Sequence, residues 1–321
     1  MQSIILFFGE NTYLINQKAS LWEQEFIKKH GDLNLIKLEG KRLTAREIYE
    51  QANQTPFLSD KKLLIVRGFL ENKSEIQKEF LEYIERIADF TVVLFVETKM
   101  PDKRLSLYKY ITKNCRTEEF TNLEGNILYD WIIREVQKRD SQIGFSEAKY
   151  LTEIAGLSMQ SLSNEIEKLS LNRLHKAIRR EDIDTLTVPK LSYNVFKLTD
   201  AVAAKNAKLA LKILEELKQF NEEMPMLFHM IVRQFRILIQ IRDCLDKGLG
   251  QADIKRSVPE HPFVIMNGMK QAANFQLKDL KEIYTALLDI EKAFKGGRIR
   301  VSVNDQTEFE LALQKLVVTH C

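Results

Sequence analysis

Short apolar runs alternate with helix-like segments along the first third of the chain. The runs are rich in β-branched and aromatic residues, and they lie at Ile4–Phe8, Leu33–Leu38, Leu63–Val66, Thr91–Val96 and, more weakly, Arg116–Phe120. The runs that begin at Leu63 and Thr91 are apolar at consecutive positions, as in strands of a parallel sheet that is covered by helices on both faces. Strand–helix alternation of this kind predicts an open, doubly wound α/β sheet.

The segments between these runs carry helical signals. Thr44 and Glu47 form a capping box, which predicts a helix from that point through Asn53. Apolar residues recur at helical spacing in two further segments, Ile76–Ile87 and Leu105–Ile111. These three segments supply the helices that a doubly wound sheet requires.

Strand signals end at Phe120, and helical periodicity continues from there to the carboxyl terminus. Three short helices are predicted first, and Ser146 and Ser158 are placed to cap the second and third of them. A loop from Thr185 to Pro189 precedes a longer, wholly helical region. We therefore predict an α/β domain over residues 1–122, a three-helix bundle over 123–188 and an all-α domain over 189–321.

Composition fits a globular protein with two or three domains, since 45% of the 321 residues are hydrophobic and 29% are charged. The net charge of +3 comes from 48 basic and 45 acidic residues spread along the chain, so charge alone argues only weakly for nucleic-acid binding. The three cysteines show no metal-ligand spacing and no disulfide framework. No segment has the length and apolarity of a signal peptide or a membrane span, so we expect a cytoplasmic protein with no membrane contact.

An α/β domain of this kind is a candidate for phosphate binding. A P-loop requires glycine-rich backbone, a lysine for the phosphate charge and a hydroxyl for magnesium. The turn Gly9–Leu14 has one glycine and no Gly-Lys-Ser/Thr ending, and Glu10 would repel a phosphate. The later strands end in Arg67 and in a single Glu97, so an acidic pair for magnesium is also missing. We expect no catalytic residue, no metal and no cofactor.

Five segments occur in a characteristic order along nearly the whole chain. They are Phe8-Gly9-Glu10, Pro56–Leu63, Pro101–Arg104, Leu162–Leu169 and Phe309-Glu310-Leu311. Together they resemble the delta subunits of bacterial DNA polymerase III clamp loaders. The resemblance implies an AAA+-like α/β domain, a helical lid and a helical collar through which loader subunits assemble. One departure lies near the carboxyl terminus, where the family tends to show a Lys-x-Gly pattern and the segment Phe294–Arg300 of this chain is followed by extra residues.

The resemblance also implies a function without ATPase activity. A subunit of this kind binds the ring-shaped sliding clamp, the beta subunit of the polymerase, and opens it for loading onto primed DNA. Its other partners would be loader subunits of the ATPase and delta-prime types, with primer–template DNA reached through the complex. Two other classes stay open: an AAA+ ATPase with a degenerate P-loop, and a free-standing helical DNA-binding or scaffold protein.

The segment best matched to clamp contact is Pro56-Phe57-Leu58, which lies between a predicted helix and a predicted strand. Pro56 restricts the backbone, and Phe57 and Leu58 present an aromatic and an aliphatic side chain next to each other. Such a pair can fill a hydrophobic pocket on a partner as a compact hot spot. From the residues alone, the pair could equally pack the loop onto its own sheet; the family pattern favours clamp contact.

A basic cluster near the carboxyl terminus is a candidate for DNA contact. It consists of Lys292, Lys295, Arg298 and Arg300, with glycines at positions 296 and 297. A flexible basic loop of this kind can contact phosphates. A solvated surface turn explains the same residues more simply.

Overall fold

A computed structural model of the chain describes residues 4–218, 224–302 and 305–321. Contacts between Cα atoms divide the chain into two units, residues 1–128 and 129–321. The strands and helices of the first unit are β1 (Ile4–Gly9), α1 (Thr12–His30), β2 (Leu35–Glu39), α2 (Ala45–Asn53), β3 (Lys62–Arg67), α3 (Ser74–Tyr83), β4 (Thr91–Glu97), α4 (Ser106–Asn114) and β5 (Arg116–Phe120). Helix α5 (Gly125–Gln137) runs across the division between the units.

The first unit is built on a five-stranded sheet in the order β2-β3-β4-β1-β5, and every neighbouring pair is parallel. In this register Leu6 pairs with Phe95 and Leu64 pairs with Val93, so the central strands place apolar residues side by side. This arrangement confirms the doubly wound α/β sheet predicted from the consecutive apolar runs. All five predicted strands are present, although β2 begins two residues later than expected, at Leu35.

Alternate residues of the central strands enter two separate cores. On one face Leu6 and Phe8 lie in a core that includes residues of α2, α3 and α4. Three buried aromatic rings meet there, because Phe80 lies 5.3 Å from Phe69 and 5.5 Å from Phe95 between ring centroids. On the other face Phe7 packs with residues of α1. Burial on both faces accounts for the apolar character of the strands at consecutive positions.

Helix termini follow the capping signals of the sequence in two of three places. The Thr44 hydroxyl accepts a hydrogen bond from Glu47 N–H at 3.2 Å, and Thr44 N–H donates to the Glu47 carboxylate at 2.7 Å, so the capping box forms. Ser158 caps its helix by accepting from Ser161 N–H at 3.4 Å. The cap expected at Ser146 is wrong: Gly144 is the N-cap and Ser146 lies inside the first turn.

The second unit is mainly helical. After α5 its elements are β6 (Gln142–Ile143), α6 (Phe145–Ala155), α7 (Met159–Asn172), β7 (Ala177–Ile178), α8 (Arg180–Leu186), α9 (Leu191–Ala203), α10 (Ala207–Lys218), α11 (Met224–Asp246), α12 (Gln251–Ser257), α13 (Pro262–Ala272), α14 (Leu277–Lys295) and α15 (Thr307–His320). The expectation that strands end at Phe120 is wrong in one detail, because β6 and β7 form a two-stranded parallel pair. One hydrophobic core extends from Val195 in α9 to Val317 in α15. Within the described ranges, no helix combines the length and apolarity needed to cross a membrane.

Candidate functional site

The α2–β3 loop, residues 54–61, lies at the amino-terminal edge of the parallel sheet. Since β2, β3 and β4 run in the same direction, the turns that precede them meet at this edge. Main-chain hydrogen bonds join the three turns: Leu63 N–H donates to Asn34 C=O at 3.0 Å, and Lys62 N–H donates to Phe90 C=O at 2.9 Å. The base of the loop is therefore fixed to the sheet.

The apolar side chains of this loop face solvent. Phe57 is 61% exposed and Leu58 is 91% exposed, whereas Pro56 is half-buried. The interpretation in which Phe57 and Leu58 pack onto their own sheet does not describe the structure. Leu33, in the turn before β2, is also 70% exposed. We call Leu33, Phe57 and Leu58 the amino-edge patch.

The structure adds a residue that sequence reasoning did not single out. Asn34 is buried, and its side-chain amide makes two hydrogen bonds with the main chain of Phe57. Asn34 Nδ2 donates to Phe57 C=O at 2.8 Å, and Phe57 N–H donates to Asn34 Oδ1 at 2.6 Å. The next residue, Leu58, has a left-handed backbone conformation with a φ of 50°. Sequence reasoning placed Leu33 and Asn34 in a strand, although the preceding Gly31-Asp32 is a turn signal.

The carboxyl side of the loop is anchored by a buried lysine. Lys62 Nζ donates to the C=O groups of Gln51 at 2.6 Å and Gln54 at 3.3 Å, so it satisfies carbonyl groups at the end of α2. Burial lowers the pKa of Lys62. Ser59 lies beside His30, with 3.4 Å between Ser59 Oγ and His30 Nδ1. The loop thus has fixed points on both sides of Leu58.

At the opposite edge of the sheet, the turn between β1 and α1 is short and differs from a P-loop. Only Glu10 and Asn11 separate β1 from α1, and Asn11 caps the helix by accepting from Leu14 N–H at 3.1 Å. Gly9 has a φ of 139°, and a Cβ atom there would lie 2.2 Å from Phe120 C=O. The end of β5 therefore lies directly beside the turn that precedes α1, where Asn11 N–H donates to Phe120 C=O at 3.1 Å.

Glu97, the acidic residue at the end of β4, forms a hydrogen bond within the protein. Glu97 is buried and accepts a hydrogen bond from Leu70 N–H at 2.9 Å, which ties it to the turn after β3. Burial raises the pKa of Glu97 to about 7. Arg67, at the end of β3, donates to Asn16 Oδ1 at 2.8 Å. In the part of the chain that the structure describes, no three His, Cys, Asp or Glu residues are grouped as metal ligands.

The predicted DNA-contacting residues lie at the end of α14 and in the loop that follows. Lys295 pairs with Glu291 at 2.6 Å, and Lys292 lies 3.6 Å from Asp289, so both lysine charges have acidic neighbours. The Arg298 and Arg300 side chains are exposed and form no ion pair with any residue in the described ranges. The four basic residues thus occupy one short stretch that begins in the last turns of α14, and DNA contact there stays a prediction.

Comparisons with protein-family models match two parts of the chain to the same family. A family model described as DNA polymerase III, delta subunit, matches residues 5–120, and a model of the C-terminal domain of the same protein matches residues 192–316. The chain belongs to the DNA polymerase III delta-subunit family. Four of the five segments that carried the resemblance lie within these two ranges, and Leu162–Leu169 lies between them.

Relatives within the delta-subunit family match over most of their length. The DNA polymerase III subunit delta of Bacillus subtilis is 26% identical over 302 residues, covering 91% of this chain and 87% of the relative. The probable delta subunit of Mycoplasma genitalium is 23% identical over 297 residues, covering 91% of this chain and 94% of the relative. A solved structure of the Bacillus subtilis DNA clamp loader delta protein (YqeN) has a TM-score of 0.68 and 24% identity, and covers 98% of this chain and 95% of that chain. This delta-family chain therefore has the fold of that protein.

Proposed function

We propose that this delta-family chain is the clamp-loader subunit that binds the sliding clamp and opens it for loading onto primed DNA. The observation that carries the proposal is the α2–β3 loop, which presents Phe57 and Leu58 to solvent from a fixed backbone. Adjacent aromatic and aliphatic side chains that are exposed in the free protein are typical anchors of a protein–protein interface. The test is direct binding of the purified chain to the sliding clamp of the same organism, and failure to bind would contradict the proposal.

Opening the clamp requires no chemistry from this subunit. A clamp alternates between closed and open forms, and a partner that binds the open form more tightly shifts the population toward it. The amino-edge patch supplies the contact, and ATP-driven rearrangement of neighbouring ATPase and delta-prime subunits controls access to it. Primer–template DNA then enters, and the clamp closes when the neighbours hydrolyse ATP.

The competing hypothesis of a degenerate ATPase finds little support in the β1–α1 turn. Asn11 uses its side chain to cap α1, and a Cβ atom on Gly9 would lie 2.2 Å from the Phe120 carbonyl oxygen. We expect the purified protein neither to bind nor to hydrolyse ATP, because the turn lacks the Gly-Lys-Ser/Thr ending with which a P-loop holds the phosphates. Isothermal titration calorimetry with ATP and magnesium tests this, with an ATPase subunit of the loader as the positive control. Saturable micromolar binding would show the prediction to be wrong.

Leu33 extends the proposed contact surface beyond the pair found in the sequence. Asn34, the residue after it, is hydrogen-bonded to Phe57, so Leu33 lies next to the α2–β3 loop. We expect Leu33→Ala to weaken clamp binding by about fivefold, the effect of losing part of one aliphatic side chain from an interface rim. Leu21→Ala is the matched control, since Leu21 is an exposed leucine on α1. Equal affinities for the Leu33→Ala variant and the unchanged protein would limit the patch to Phe57 and Leu58.

Assembly with the other loader subunits is proposed for the helical region after residue 188. Its core is continuous from α9 to α15, and two apolar side chains of α15, Leu311 and Val318, stay exposed. A free-standing DNA-binding or scaffold protein is the remaining alternative. Co-purification with loader subunits and with the clamp separates the two, because a free-standing protein would recover neither. The basic residues Arg298 and Arg300 are proposed to lie near DNA in the assembled complex.

A further inference from the structure

One buried side chain outside the α2–β3 loop is hydrogen-bonded directly to the main chain of Phe57. Asn34 is 4% exposed, and its amide group both donates to and accepts from the main chain of Phe57. Asparagine can do this because it carries a donor and an acceptor side by side, as a peptide group does. Since the amide is shielded from water, these bonds are stronger than equivalent bonds at the surface.

The conformation that these bonds maintain is an unfavourable one for the free chain. Leu58 has a φ of 50°, in the left-handed region that a residue with a Cβ atom seldom adopts. Its neighbours are both anchored, Phe57 by Asn34 and Ser59 by Lys61 N–H, which donates to Ser59 Oγ at 3.4 Å. Such backbone strain persists only where the surrounding structure enforces it, and it is concentrated at binding and catalytic sites.

We propose that Asn34 is a positioning residue for clamp binding: it fixes the Phe57 main chain so that Leu58 stays left-handed and both side chains project from the sheet edge. This inference rests on the proposed function of the α2–β3 loop. A loop that is already ordered loses less conformational entropy when it binds, so more of the contact energy contributes to affinity. Asn34 would thus strengthen binding through the backbone of the two residues that make the contact.

The test compares Asn34→Ala with a control that loses the same kind of interaction elsewhere. Gln77 is also a buried amide, and its Nε2 donates to the C=O groups of Leu70 at 3.0 Å and Asn72 at 2.9 Å. We expect Asn34→Ala to weaken binding to the organism's own sliding clamp by about tenfold, or about 1.4 kcal/mol. Gln77→Ala should lower the melting temperature and leave clamp affinity unchanged.

Two further measurements separate positioning from general stability. Amide hydrogen exchange at Phe57 should accelerate in Asn34→Ala, because the hydrogen bond that protects Phe57 N–H is lost. In a chain that already carries Phe57→Ala and Leu58→Ala, the Asn34→Ala change should cause no further loss of clamp affinity. Asn34→Asp is the harsher variant: it keeps the acceptor for Phe57 N–H but sets a buried carboxylate oxygen against Phe57 C=O, so it should weaken clamp binding at least as much as Asn34→Ala.

The outcomes distinguish the positioning role of Asn34 from the proposed clamp-binding function of the α2–β3 loop. Normal clamp affinity in Asn34→Ala or Asn34→Asp, together with faster exchange at Phe57, would overturn the positioning role and leave the proposed function intact. An equal loss from Asn34→Ala with and without the Phe57 and Leu58 side chains would also overturn it, because the effect would then not act through them. Normal affinity in the double alanine variant at Phe57 and Leu58 would instead overturn the proposed contact site.

Discussion

Removing both exposed side chains, in the double variant Phe57→Ala and Leu58→Ala, is expected to weaken clamp binding by about a hundredfold or more. Truncation of an aromatic or aliphatic hot-spot residue costs about 2 kcal/mol or more, and about 1.4 kcal/mol corresponds to a tenfold change in affinity. Surface plasmon resonance with immobilised clamp measures the effect. The change should reside mainly in the dissociation rate, because interface substitutions alter that rate more than association.

The same double variant should keep its thermal stability. Phe57 is 61% exposed and Leu58 is 91% exposed, so neither side chain contributes much to the core of the first unit. We expect the free energy of unfolding to change by less than about 0.5 kcal/mol, as for other surface substitutions. Leu171→Ala with Leu174→Ala is the matched control, since both leucines are exposed and lie outside the α2–β3 loop. A stable variant with near-normal affinity would remove Phe57 and Leu58 from the contact.

Sequence periodicity was sufficient to predict the sheet of the first unit. A strand buried on both faces is apolar at nearly every position, so β3 and β4 are visible as continuous runs. The same reasoning could not detect β6 and β7. Each strand has two residues, and a periodic pattern can be recognised only over a longer segment. The cap at Ser146 was wrong because a serine near a helix start is compatible with more than one register.

The candidate site was predictable only in part. Phe57 and Leu58 are adjacent in sequence and fall in a predicted loop, so they could be identified without coordinates. Asn34 could not, because its role depends on a partner 23 residues away along the chain. The left-handed backbone of Leu58 could not be predicted from the sequence either, because leucine seldom adopts this conformation. Local pattern thus identifies Phe57 and Leu58 as the proposed contact residues, whereas their backbone geometry depends on a long-range hydrogen bond.

Charge introduced on the outer face of α15 is expected to prevent assembly with the other loader subunits. Phe309, Leu313, Leu316 and Val317 are buried on the inner face of this helix. Leu311 and Val318 are 58% and 55% exposed, and their spacing of seven residues places them on one stripe, on the outer face. A glutamate at the centre of a protein interface loses its hydration without gaining a partner. Leu311→Glu with Val318→Glu should therefore weaken assembly by roughly a hundredfold or more.

Gel filtration of the reconstituted loader measures this effect, and two controls make it specific. Leu171→Glu with Leu174→Glu introduces the same charge at two other exposed leucines and should leave assembly intact. Clamp affinity of the α15 variant should equal that of the unchanged protein, because the amino-edge patch lies in the first unit. The Phe57 and Leu58 double variant should show the reverse behaviour, with normal assembly and weak clamp binding. If the α15 variant assembled normally while keeping its fold, the subunit interface would have to lie on another face of the helical region.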